Sequence, residues 1–114
     1  MKQKREAKPV LLGSLEEQVM LAVVRTGDTA YGMNVRRELE TVTEREIAIG
    51  AVYATLDRLE AKGLVISRRP TSDRDAPSRR VFAVTPLGAR SLALTRAMRE
   101  RLWLGVKLQP LLGL

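Results

Sequence analysis

Residues 50–69, GAVYATLDRLEAKGLVISRR, together with residues 79–88, RRVFAVTPLG, decide how this chain folds. At helical spacing Val52, Leu56, Leu59 and Gly63 share one face of the first run, and Gly50, Ala51, Ala54 and Arg58 share the opposite face. The first face suits a core, and the second, small and ending in a cation, suits a groove. Gly63 fits the left-handed position just past a helix end. Beyond it Leu64, Ile66, Phe82 and Val84 alternate as the expected inward residues of two short strands. The residues between, Thr71 to Ser78, are polar and read as a solvent-facing hairpin tip. The pattern is therefore a helix that feeds straight into a basic β-hairpin.

Upstream, Ser14 is expected to open a helix with Glu17 three residues on, the spacing at which each side chain satisfies an unpaired backbone amide. That helix should run to about Thr26, where Gly27 and Asp28 make a turn. Its centre, VMLAVV at 19–24, is apolar on every side, as in a strut packed both on its own domain and on something else. A second helix is expected from about Ala30 to Val42, burying Tyr31, Val35 and Leu39 and exposing Arg36, Arg37, Glu38 and Glu40. Ile47 and Ile49 alternate as a very short extended piece before the third helix. Two helices joined by a short connection, the second facing outward, form a helix-turn-helix, and the basic hairpin makes it a winged one. The fold class expected is mainly α with a small β-hairpin.

A last helix opens at Thr85, whose hydroxyl can cap it, and Pro86, which tolerates the first helical position. Leu87, Leu94, Met98, Leu102 and Val106 form a stripe along it, Leu92 and Trp103 lie nearly opposite, and Pro110 is expected to stop it. Two apolar faces are more than one small domain covers, so the stripe is expected to be a dimer interface. The alternative is a fourth helix folded wholly onto its own domain. The division expected is a flexible basic arm over 1–13, a winged helix-turn-helix domain over 14–85, and a C-terminal dimerisation helix and tail over 86–114.

The chain has 114 residues, enough for one modest core. It is 45% hydrophobic and 29% charged, too apolar for general disorder. Its net charge is +7, and residues 1–8 and 68–80 each carry +3 of it. Cysteine and histidine are absent, which excludes disulfides, thiolate chemistry, the common zinc sites and imidazole acid–base catalysis. The expectation is a protein that is not an enzyme and takes no cofactor or metal. No apolar stretch spans a bilayer and the basic N-terminus lacks the apolar run of a secretory signal, so a cytoplasmic location with no membrane contact is expected.

From about Ser14 to Arg101 the chain resembles the PadR family of winged-helix transcriptional regulators. The resemblance rests on YGMNVRRELE at 31–40, GAVYATLDRLEAKGLV at 50–65 and RRVFAVTPLG at 79–88, in that order. It implies a homodimeric repressor whose recognition helices enter successive major grooves while the wings touch the flanking backbone. It also implies the short branch of the family, with a single helix after the wing, several members of which respond to hydrophobic or aromatic compounds. Two positions depart from the pattern. Ala48 stands where the family often has serine or threonine, so a side-chain cap is missing ahead of the third helix. Val81 and Ala83 stand where many members carry aromatic and basic residues, so the wing depends more on Arg79 and Arg80.

Phosphate contacts fix register and base contacts discriminate, which sorts the candidates. Gly50, Ala51 and Ala54 let the third helix sit deep in the major groove and offer thymine methyls apolar contact. Thr55 and Arg58 are the expected polar readers; Arg58 fits a guanine edge or, a little over two turns into the helix, a phosphate. Tyr53 resembles the family's hydroxyl donor to phosphate, against a half-buried aromatic as the plainer role. Tyr31 divides the same way, with core packing favoured. Arg74, Arg79 and Arg80 are expected at phosphates or the minor groove. Trp103, the one tryptophan, reads as a packing anchor or, by resemblance, a stacking face for an effector. The function expected is a sequence-specific DNA-binding regulator, a repressor acting as a homodimer on a pseudo-palindromic operator, with double-stranded DNA, its own second copy and a small hydrophobic or aromatic effector as partners. The competing function is a winged-helix protein-interaction module without specific DNA binding.

Overall fold

The computed structural model describes residues 7–69 and 80–113. Among these residues lie four helices and one antiparallel hairpin: α1 Ser14–Thr26, a 3-10 turn Gly27–Thr29, α2 Gly32–Thr43, α3 Ile49–Ala61, β1 Val65–Arg68, β2 Val81–Val84, α4 Pro86–Trp103 and a 3-10 turn Gln109–Leu111. This is the mainly helical winged helix-turn-helix expected. Val19, Met20 and Val23 of α1, Val35 and Leu39 of α2, and Val52, Leu56 and Leu59 of α3 close the core with Leu64, Val65 and Phe82 from the hairpin. Phe82 is its largest buried side chain, and truncating such a ring costs about 3–5 kcal/mol.

The start of α1 differs by one residue from expectation. Gly13 is the N-cap, and its own amide donates to Glu16 Oε1 at 3.0 Å. Ser14 is thus the first helical residue, and Glu17 is left to turn inward, where it is 9% exposed and accepts from Arg99 of α4. Leu21 and Val24 are the outward apolar residues of α1, at 43% and 58% exposure.

The extended reading of Ile47 and Ile49 is also corrected: Ile49 is the first residue of α3, and no strand precedes it among the described residues. The end of α3 is a Schellman turn. Gly63, at φ 77°, donates to the Glu60 carbonyl while Leu64 donates to the Leu59 carbonyl at 2.9 Å. That turn sets the phase of the hairpin. Val65 pairs with Val84 and Ser67 with Phe82 on the core side, so Ile66, paired with Ala83, points outward at 58% exposure instead of inward. The Phe82 amide donates to the Ala30 carbonyl at 3.0 Å and ties the returning strand to the loop ahead of α2.

Helix α4 opens as expected, Thr85 Oγ1 accepting from the Gly88 amide at 3.0 Å. It closes at Trp103, well before Pro110, so Val106 lies beyond the helix. Its docked face is Gly88, Ser91 and Thr95, small residues between the two apolar stripes. The hydroxyls of Ser91 and Thr95, one turn apart, accept from the Val10 and Leu12 amides at 3.0 Å each. Residues 10–13 are therefore a strap laid along α4 rather than part of a loose arm, while residues 1–6 lie outside the described residues. Leu87 and Leu92 pack against the core, Leu94 and Met98 are half-buried, and Leu102 is 69% exposed. No helix among the described residues is long and apolar enough to cross a membrane.

Candidate nucleic-acid interface

The third helix presents Gly50, Ala51, Ala54 and Arg58 to solvent, with Asp57 and Ala61 exposed beside them. No side chain larger than a methyl rises from its first turn and a half on that face, which leaves the backbone open to close approach. Thr55 is not on it. It is 1% exposed, because positions 52, 55, 56 and 59 follow the core spacing, and its hydroxyl meets Arg58 Nη2 at 3.4 Å. Thr55 thus accepts from the Arg58 guanidinium and is itself buried away from the groove face.

The position of α3 is set from α2. Glu44 ends α2 in the left-handed region, φ 54° and ψ 35°, turning the chain sharply. Glu40 then accepts from the Ile47 amide at 2.9 Å. That bond, aided by Arg36, holds the Glu40 carboxyl below the usual carboxylate range. Ala48 is the N-cap of α3, with extended backbone and no side-chain bond to the first turn. Tyr53 lies half-buried across Gly32, so close that a Cβ there would stand 2.4 Å from its Cζ. Its ring wedges α3 against the start of α2. Tyr31, half-buried, is the N-cap of that helix.

At the wing root Arg80 is held within the chain. Its Nη2 donates to Asp57 Oδ1 at 3.0 Å, its Nη1 to Glu60 Oε1 at 3.4 Å, and its guanidinium lies 5.0 Å over the Phe82 ring. Glu60 Oε2 also takes the Ser67 amide and hydroxyl, at 3.1 and 2.8 Å. Arg80, expected at phosphates or the minor groove, thus clamps the hairpin to the end of α3 within the chain. Asp57 and Glu60 anchor the wing root; their signal in the sequence is two carboxylates three residues apart immediately ahead of a basic hairpin. Arg74 and Arg79 lie outside the described residues. Trp103 closes α4 at 58% exposure.

Residues 20–94 match the model of a family described as "Transcriptional regulator PadR-like family", well over half of the chain. The chain belongs to that family. PadR-like membership agrees with the order of elements above, since the match takes in the second half of α1, the helix-turn-helix, the hairpin and the first half of α4. The fold is similar to a solved chain described as "The complex structure of hsRosR-S4", with a TM-score of 0.67, 21% identity, and coverage of 84% of this chain and 77% of that one. A search of curated proteins found no match.

Proposed function

We propose that this PadR-like regulator binds DNA sequence-specifically as a homodimer, each copy laying α3 in a major groove and its wing on the flanking backbone, and that it represses transcription. The observation that carries the reading is the bare outer face of α3, Gly50, Ala51 and Ala54, beside Arg58 and a hairpin rich in arginine. Leu94, Met98 and Leu102 supply the dimer contacts on α4, with Leu87 contributing only its outer edge. Arg74 and Arg79 supply phosphate contacts, and Tyr31 and Tyr53 steady the helix-turn-helix beneath them. Trp103 is the proposed stacking face for a hydrophobic or aromatic effector, and quenching of its emission by flat aromatic cations, with loss of DNA affinity, is the expected sign.

The test is a footprint and titration on the duplex upstream of the chain's own gene. Two half-sites about one helical turn apart are expected, with affinity falling steeply as salt rises. Ala54→Glu, which touches no core residue, should weaken binding by at least about tenfold by placing bulk and negative charge in the groove. Absence of duplex binding in dilute buffer, or binding indifferent to Ala54→Glu, overturns the proposal.

A further inference from the structure

A shallow groove of about 290 Å³ runs between α1 and α2, floored by Leu21, Val24, Leu39 and Val42. Leu21, Val24 and Val42 are 43%, 58% and 56% exposed, and the Arg25–Glu38 ion pair bridges the two helices at its rim. The same chain carries a second uncovered apolar feature. Every residue from Arg99 to Gly113 is exposed, among them Leu104 at 83%, Leu111 at 80% and Leu112 at 62%.

This C-terminal segment has a shape of its own. The Val106 amide donates to the Trp103 carbonyl at 2.9 Å, and the Leu111 and Leu112 amides both donate to the Leu108 carbonyl, at 2.8 and 3.0 Å. In the resulting 3-10 turn Leu108 and Leu111 stand one above the other, a small apolar knob. A knob ordered by its own backbone and largely exposed loses little freedom when it enters a partner.

We propose that the segment Leu104 to Leu112 of one copy docks in the α1–α2 groove of a second copy. The inference rests on the homodimer reading above and adds where the tail of each subunit goes. Two observations favour a second copy. Within a single chain the tail is exposed throughout, and among the described residues Arg99, through Glu17, is the farthest α4 residue with a side-chain bond to another element. And Leu21 also lines a groove between α1 and α4, with Leu92, Arg96 and Glu100, so the two grooves meet at one ridge. A partner helix lying along the α1–α4 groove delivers its tail to the α1–α2 groove. The tail carries one charged side chain, Lys107, and the rim carries the paired Arg25 and Glu38, so the match is of apolar surface to apolar surface. Contiguous exposed apolar surface on both sides then becomes buried.

The chain has no cysteine, which makes the test direct. Val42→Cys and Leu111→Cys, purified separately, mixed and mildly oxidised, should give a disulfide-linked species of twice the chain mass far above the yield of either variant alone. The doubly substituted chain should also link between copies. Leu111→Asp, which meets no core residue, should raise the dimer dissociation constant by about tenfold while leaving the helical content of the folded chain intact. If the parent chain sediments as a dimer but the mixture does not cross-link, the homodimer stands and the tail docking falls. A link that closes within one chain of the double variant also overturns it. A parent chain that stays monomeric overturns both readings together.

Discussion

The α-carbon of Gly88 lies so close to the Leu64 carbonyl that a Cβ built on it would stand 2.1 Å from that oxygen. The same Cβ would meet Met20 Cε and Val84 Cγ1 at 2.9 Å each, so α4 crosses the hairpin at its tightest point there. The carbonyl has little room to yield, because it already accepts from the Thr85 amide at 3.0 Å and the Thr85 hydroxyl at 3.1 Å. Gly88→Ala should therefore destabilise the fold by about 1–3 kcal/mol, as overpacking does, read as a lower midpoint in urea. An unchanged midpoint would mean that α4 rides freely over the hairpin.

Arg80 and Asp57 make the second prediction. With its guanidinium shared between Asp57 and Glu60, Arg80 is nearly neutralised toward a polyanion, and Asp57 places a negative charge on the helix proposed to face DNA. Asp57→Asn should tighten duplex binding and steepen its dependence on salt by about one phosphate contact. Arg80→Ala should weaken binding on all sequences alike while costing up to about 1 kcal/mol of stability, since the pair is partly solvated. A salt slope that Asp57→Asn leaves unmoved would show that Arg80 remains a structural clamp on DNA.

These two residues also mark the limit of what the sequence discloses. The two faces of α3 were legible because Val52, Leu56 and Leu59 fall cleanly opposite Gly50, Ala51 and Ala54 on a 3.6-residue period. Gly63 and the Thr85–Pro86 start were legible from backbone chemistry. The hairpin phase was not: Leu64, Val65 and Ile66 are all apolar, so alternation cannot choose between them, and the turn at Gly63 chooses instead. Thr55 misled because threonine serves equally in a groove and at the edge of a core. The docking face of α4 was hidden for a different reason. It uses small polar residues, whose value lies in accepting the Val10 and Leu12 amides, a contact more than eighty residues apart in sequence.

Acid should expose the bond between Glu16 and Lys62. Lys62 Nζ donates to Glu16 Oε2 at 2.8 Å and the Gly13 amide to Oε1 at 3.0 Å, and these hold the Glu16 carboxyl below its ordinary value of 4.5. A carboxyl lowered by folding contributes stability above its unfolded pKa, and that contribution is lost as pH falls through the folded one. Wild-type chain should therefore lose stability below about pH 4.5 more steeply than Glu16→Gln, whose melting curve should sit lower near neutrality and converge at acid pH. Parallel curves across that range would remove Glu16 as a contributor.

The missing cap at Ala48 offers a gain of function in stability. Ala48 has the extended backbone of an N-cap, φ −65° and ψ 134°, and its carbonyl takes the Ala51 and Val52 amides at 3.0 and 3.3 Å. No side chain serves the remaining amides of the first turn, and Ala48 is exposed, so a hydroxyl can be added without a clash. Ala48→Ser should stabilise the chain by about 0.5–1 kcal/mol, read in thermal or urea unfolding. Ala48→Asp should stabilise at least as much, because its charge also opposes the positive end of the helix. The two should part company on DNA. A carboxylate at the start of a helix lying in the groove meets phosphate, so Ala48→Asp should bind duplex more weakly than Ala48→Ser despite equal or greater stability. If both bind alike, the start of α3 stands clear of the backbone, and the helix enters the groove by its later turns, around Ala54 and Arg58.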